Sequence, residues 1–223
     1  MVKILCLPGF ATNKEIMSFQ LRHLKKTFSN FEFVPIDPFH ELEKERIFSN
    51  NPELLSLIGK EAKIFSWLSY GEPVFTEISI ACQKLANIIN EKGPFDGLLG
   101  FSMGGRVIHS LIKFLEDGSI KLKVALPKFY IFICGFMSFE INEINHQLSS
   151  SNAKTIHLLC LKDDLFLPSY YMTLKYKSPL IMMFDQVHKI PIIDNESNQK
   201  IKKFIENVEK KKNKPKRRIF GGL

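Results

Sequence analysis

The 223-residue sequence predicts a three-layer α/β fold with a mostly parallel central sheet of about six strands. Short, nearly all-apolar runs alternate with amphipathic stretches of helical period, the pattern of strands covered on both faces and joined by helices. The later runs, FYIFICGF (129–136), TIHLLCL (155–161) and PLIMMFD (179–185), carry almost no polar residue. The length suits one domain with a substantial core.

From the start of the chain, VKILCLP (2–8) reads as a strand ended by the turn pair Pro8-Gly9. KEIMSFQLRHLKKTF (14–28) reads as one amphipathic helix with Ile16, Phe19 and Leu24 on its apolar face. FEFVPID (31–37) is a second strand. Residues 38–72 hold Pro38, Pro52, Gly71 and the charged run HELEKER. They read as an insertion of loops and short helices carrying Phe65, Trp67 and Tyr70. Either a cap over a site or an irregular layer on the core fits that composition.

Helical periodicity returns at 74–92, where Ile78, Cys82, Leu85 and Ile89 share a face and Gly93-Pro94 ends the element. FDGLLGF (95–101) is a strand, and GGRVIHSLIKFLEDG (104–118) a helix with Val107, Leu111 and Leu115 inward. Residues 196–212 form a closing helix. We take 1–209 as one domain and 210–223 as a basic tail.

The net charge of +8 is concentrated in that tail, where KKKNKPKRR (210–218) carries seven cations. Without them about one net charge remains, so the domain itself offers no nucleic-acid footprint. The tail fits either a solvated terminus or a nuclear address. No apolar run approaches the roughly 18 residues of a membrane span. The opening MVKILCLPGF lacks a small-residue cleavage site. Cys6, Cys82, Cys134 and Cys160 are far apart in sequence and read as buried free thiols of a reducing, cytoplasmic compartment, with no metal site and no cofactor expected.

The chemistry is concentrated around GFSMG (100–104). A G-x-S-x-G run between a strand and a helix puts serine on a sharp bend. Gly100 and Gly104 let the two elements approach. Ser102 then projects from the carboxyl edge of the sheet, and the Met103 N–H, at the helix start, is placed to hold an oxyanion. The GxxxxGK[ST] and GxGxxG phosphate patterns are missing. A serine nucleophile needs a base and an orienting acid, which in this strand–turn–helix setting follow in the order acid, histidine. Of six histidines, only His188 follows the last predicted strand; His157 falls in a strand, His109 in a helix, and His40 is a weaker second choice. The acid falls in LKDDLFLP (161–168), as Asp163 or Asp164. PGFATN (8–13) offers the second oxyanion donor, the N–H of Phe10.

With these residues in hand, the sequence resembles the FSH-type serine hydrolases, a family of small α/β-hydrolases. The resemblance runs through LCLPGFATNKEIMSFQL (5–21), GPFDGLLGFSMGG (93–105), FYIFICGF, IHLLCLKD and HKIP (188–191). It implies an α/β-hydrolase fold, hydrolysis of carboxylic esters, Ser102 as nucleophile and His188 as base. The family's acid follows three residues after a strand-ending glycine. Cys160 stands at that place, which selects Asp163, as does the distance onward to His188; Pro168, four residues past Asp164, favours the neighbour, and we take Asp163 as the acid. The chain departs from the family in having Pro8-Gly9 for histidine-glycine, and Gln186-Val187 for the glycine-bearing pair before the base.

No basic cluster lies near these residues in sequence. Phe10, Leu165, Phe166 and Leu167 join Phe65, Trp67 and Tyr70 as candidates for an apolar acyl pocket. The expected partner is a small neutral ester. Thioester hydrolysis by the same residues and a non-catalytic binding scaffold are the alternatives.

Overall fold

The computed structural model describes residues 1–49, 61–69, 71, 73–137 and 150–212. In chain order these form β1 (Val2–Leu7), α1 (Lys14–Gln20), α2 (Arg22–Thr27), β2 (Phe31–Pro35), β3 (His40–Leu42), α3 (Lys44–Ile47), β4 (Ile64–Ser66) and α4 (Val74–Lys92). They continue as β5 (Gly97–Phe101), α5 (Met103–Glu116), β6 (Phe129–Ile133), β7 (Thr155–Cys160), α6 (Phe166–Thr173), β8 (Leu180–Phe184) and α7 (Asn195–Lys212).

Six strands make one parallel sheet in the order β2-β1-β5-β6-β7-β8. Every predicted sheet strand is present. The winding direction reverses between β1 and β5, and in open parallel sheets the crevice beyond the strand ends at such a reversal is where ligands bind.

Strand alternation divides the core in two. Leu5, Leu7, Leu98, Tyr130 and Phe132 face α4, α5 and Met172 of α6. Ile4, Cys6, Leu99, Phe101, Phe129, Ile131 and Ile133 face the layer built from α1, α2 and α7. Side chains such as Leu5, Leu7 and Ile4 are fully buried, each contributing roughly 2 kcal/mol relative to exposure.

The stretch read as one helix over 14–28 is two, α1 and α2, meeting at Leu21. Asn13 caps the first, its side chain accepting from Ile16 N at 2.8 Å. Met17, Leu21, Leu24 and Phe28 form the buried face, at helical spacing, whereas Phe19 is exposed with Arg22 lying on its ring. The expected face was therefore rotated: one large aromatic drew the reading away from the better-spaced set. α6 was not anticipated, because its sequence contains Pro168; that residue lies in the first turn, where a proline N–H is not needed.

Residues 38–72 include a two-stranded antiparallel ribbon, β3 with β4; residues 50–60, Tyr70 and Glu72 lie outside the described residues. The ribbon braces the loop after β1. Thr12 and Phe65 exchange backbone hydrogen bonds (2.8 and 3.4 Å), and Trp67, fully buried, donates from Nε1 to the Pro8 carbonyl at 2.8 Å. Of the tail, Lys210–Lys212 continue α7 and 213–223 lie outside the described residues.

Candidate active site

At the end of β5 the chain turns at Ser102, whose φ of 52° and ψ of −120° are rare for a side-chain-bearing residue. The turn is locked by main chain. Ser102 N donates to Ile133 O at 2.9 Å, and its own carbonyl accepts from Gly105 N at 2.9 Å. There is no room for side chains on either flank. A Cβ on Gly100 would lie 2.5 Å from Gly105 N, and one on Gly104 would lie 2.3 Å from Leu7 O. A Cβ on Gly9 would sit 3.3 Å from that of Ser102, so the loop after β1 runs directly past the serine. Phe10 stands in that loop, 41% exposed, and Met103 opens α5 at the positive end of its dipole. Three non-glycine residues among those described have positive φ: Ala11, Ser102 and Cys134. All three lie at or just beyond the carboxyl ends of adjacent strands, β1, β5 and β6.

The second half of the site lies beyond β7 and β8. Asp163 is 7% exposed. Its Oδ1 accepts from Leu165 N at 2.9 Å, and its Oδ2 lies 2.7 Å from His188 Nδ1. The neighbouring Asp164 is exposed. A carboxylate facing Nδ1 makes that nitrogen the proton carrier and leaves Nε2 with the lone pair. The His188 ring packs on Phe101, the residue before Ser102, at 5.0 Å between centroids. The structure thus pairs His188 with Asp163 and sets the imidazole on the ring of Phe101, the last residue of β5. His40, the weaker choice, lies in β3 opposite Ser66, with Lys84 and Glu77 as its charged neighbours. His109 and His157 are fully buried in the core.

The cysteines are free and buried as expected, and two features of this region are hidden from linear spacing. The cysteines, distant in sequence, are not distant in space. Cys134 and Cys160 end adjacent strands, and both thiols donate to the Lys189 carbonyl, at 3.8 and 3.4 Å. The Cys134 thiol also lies within 4.8 Å of the facing Asp163 and His188 donor atoms. Hydrogen bonding with Cys160, burial and the Asp163 charge push the Cys134 thiol well above the usual range. Linear spacing missed this group because parallel strands bring far-apart residues to one edge. The only local sign was Cys134-Gly135 closing an apolar strand. The second feature concerns charge. A cleft of about 410 Å³ opens beside His188; Phe101, Ile190 and Ile192 give it an apolar side, while Arg22, His23 and Lys189 line its polar side. Arg22 and His23 come from the start of α2, remote in sequence, whereas Lys189 directly follows His188. Trp67, a pocket candidate from sequence, is spent in the core, and Leu167 is exposed. Among the described residues, no helix is long and apolar enough to cross a membrane.

Comparison with known proteins agrees with the fold. The chain is similar to the esterase C25G4.2 of Caenorhabditis elegans, 33% identical over 154 residues that cover 62% of each protein. An uncharacterized hydrolase of Schizosaccharomyces pombe, C22A12.06c, is 25% identical over 85% of this chain and 47% of its own length. The chain therefore spans less than two thirds of those two relatives. Hydrolase phiM of Talaromyces stipitatus is 29% identical over 85% of this chain and 81% of its own. Among solved structures, Zea mays acyl-protein thioesterase 2 shares the fold with a TM-score of 0.61 at 16% identity, over 93% of this chain and 94% of that one. The model of the serine hydrolase family FSH1 matches residues 1–200, spanning the serine turn, the aspartate and the histidine alike, and the chain belongs to that family.

Proposed function

We propose that the protein hydrolyses carboxylic esters through an acyl-enzyme on Ser102. The observation that carries the reading is the 2.7 Å contact of the Asp163 carboxylate with His188 Nδ1, on an imidazole packed on Phe101, the residue before the positive-φ Ser102. Asp163 fixes the tautomer and stabilises the imidazolium when it forms. His188 Nε2 takes the Ser102 proton as Oγ attacks the ester carbonyl, then returns it to the departing alcohol. It next draws a proton from water as the hydroxide oxygen attacks the acyl carbon, then returns that proton to Ser102 Oγ as the acid leaves. The N–H groups of Phe10 and Met103 hold the oxyanion of both tetrahedral intermediates. The contact of Gly9 with Ser102 and the bond from Trp67 to Pro8 support this role for the loop.

The substrate is a small ester with a mainly apolar acyl group, laid along Phe101, Ile190 and Ile192. Residues 1–209 act as the hydrolytic unit and the basic tail as an appendage. Intact-mass measurement after treatment with an activated fluorophosphonate tests the nucleophile. One adduct is expected on the wild type, mapping by peptide digestion to Ser102, and none on Ser102→Ala. An adduct on Cys134, or equal labelling of Ser102→Ala, overturns the reading.

A further inference from the structure

We propose that Cys134, Asp163 and His188 form a site for a thiophilic divalent cation of the zinc type, and that its occupation switches the hydrolase off. The thiol sulfur, a carboxylate oxygen and an imidazole nitrogen come from the ends of β6, β7 and β8 and lie within 4.8 Å of one another. Sulfur, nitrogen and oxygen donors together suit zinc or cadmium, whereas calcium and magnesium take oxygen ligands. Tetrahedral bonds of about 2.0–2.3 Å put ligands roughly 3.4 Å apart, so the Cys134 thiol moves in while the Asp163–His188 pair opens from its 2.7 Å contact. The backbone is already set for it. Cys134 holds a left-handed φ of 47°, and its N–H donates to Leu158 O at 3.0 Å, which fixes the strand end from which the thiol projects. A left-handed cysteine at that point is not needed to continue the sheet; a glycine would meet the same turn without strain. Cys160 shares the Lys189 carbonyl with Cys134, which ties a second sulfur to the backbone beside His188. His188, with its side chain 35% exposed, is the member through which an ion enters.

The consequence follows from which nitrogen faces the site. The nitrogen turned toward Asp163 is Nδ1. An ion there takes the Nδ1 lone pair, so the neutral ring must carry its proton on Nε2. The thiol gives its proton to solvent, the Nδ1 proton is exchanged for one on Nε2, and one proton is released per ion bound. The ring then has no lone pair for the Ser102 hydroxyl. Inhibition therefore rests on the esterase reading above; binding of the ion does not. Because a proton leaves, binding tightens as pH rises.

The full chain, kept reduced with a non-chelating phosphine, provides the test. One equivalent of cadmium should produce a thiolate-to-metal charge-transfer band in the ultraviolet. Zinc should inhibit hydrolysis of a nitrophenyl ester, reversibly on adding EDTA. Cys134→Gly, which suits the left-handed backbone, and Cys134→Ser should each lose the band and raise the half-inhibiting zinc concentration about tenfold or more. Cys82→Ser, on α4, should behave as wild type. Two variants guard against one misfolding, and circular dichroism checks each. A band that survives in a folded Cys134 variant, or a wild type that hydrolyses ester but shows no band, overturns the site. A wild type that shows the band yet hydrolyses no ester keeps the site and overturns the esterase reading.

Discussion

Along the carboxyl edge of the sheet, the β1–β5 side and the β6–β8 side are held in different ways. At β1 and β5, main chain presses on main chain: Gly104 on the Leu7 carbonyl, Gly100 on Gly105, Gly9 on Ser102. At β6, β7 and β8, side chains do the holding: Asp163 grips His188, and two thiols hold the carbonyl of the next residue, Lys189. The first arrangement admits no added atom and gives the serine one position. The second depends on donors and acceptors whose protonation can change. The difference assigns rigidity to the serine turn and adjustability to the Asp163–His188 pair.

Side-chain chemistry on the β7–β8 side gives the largest expected effect. Asp163→Asn should lower kcat on the order of 10⁴-fold, because the amide favours the wrong tautomer of His188. Asp164→Asn, at an exposed position, should change it by no more than about twofold. Steady-state kinetics of both variants on one activated ester decide the matter, and equal losses would break the contrast between the two neighbours. On the β1–β5 side the expected damage is to folding. Gly104→Ala places a methyl 2.3 Å from Leu7 O, where the obstacle is backbone, and should destabilise the fold by about 3 kcal/mol, read from urea unfolding. Unchanged stability would mean that β1 yields easily, and the claimed rigidity would fall.

The smallest effect sharpens the comparison within a single strand. β7 leads to Asp163 at the edge but buries His157 in its interior, where burial pushes the imidazole down to about 3. Above pH 6.5 both folded and unfolded chains hold that ring neutral. As pH falls below about 6.5 the unfolded chain takes up a proton that the folded one refuses, so stability should drop, by up to about 1.4 kcal/mol per pH unit from this residue. His157→Phe should flatten the decline of melting temperature between pH 6.5 and 4. An identical slope in that variant would assign the acid sensitivity to other groups.

Much of this arrangement was legible in the sequence. The serine turn announces itself because its constraints are local: glycines two residues either side, a strand before and a helix after. Asp163 was harder, because Cys160 and Pro168 pointed to different members of one pair, and burial separates them where spacing does not. Phe19 misled the reading of the first helix, since hydrophobicity alone does not reveal that Arg22 lies over its ring at the surface. The thiol group and the cationic side of the cleft were not legible at all. Each is made by strand order and helix placement, which bring residues such as Arg22 and Lys189 together across most of the chain.

The bond from Trp67 to the Pro8 carbonyl gives the molecule an optical reporter. The chain has one tryptophan, so its emission arises from a single known place. That indole is hydrogen-bonded to the residue that starts the turn past Ser102 and is shielded from water. On the proposed acyl-enzyme route, a shift of this loop as the acyl group forms or leaves alters the polarity around that one ring. Stopped-flow fluorescence can therefore follow the loop through a turnover without any dye being attached.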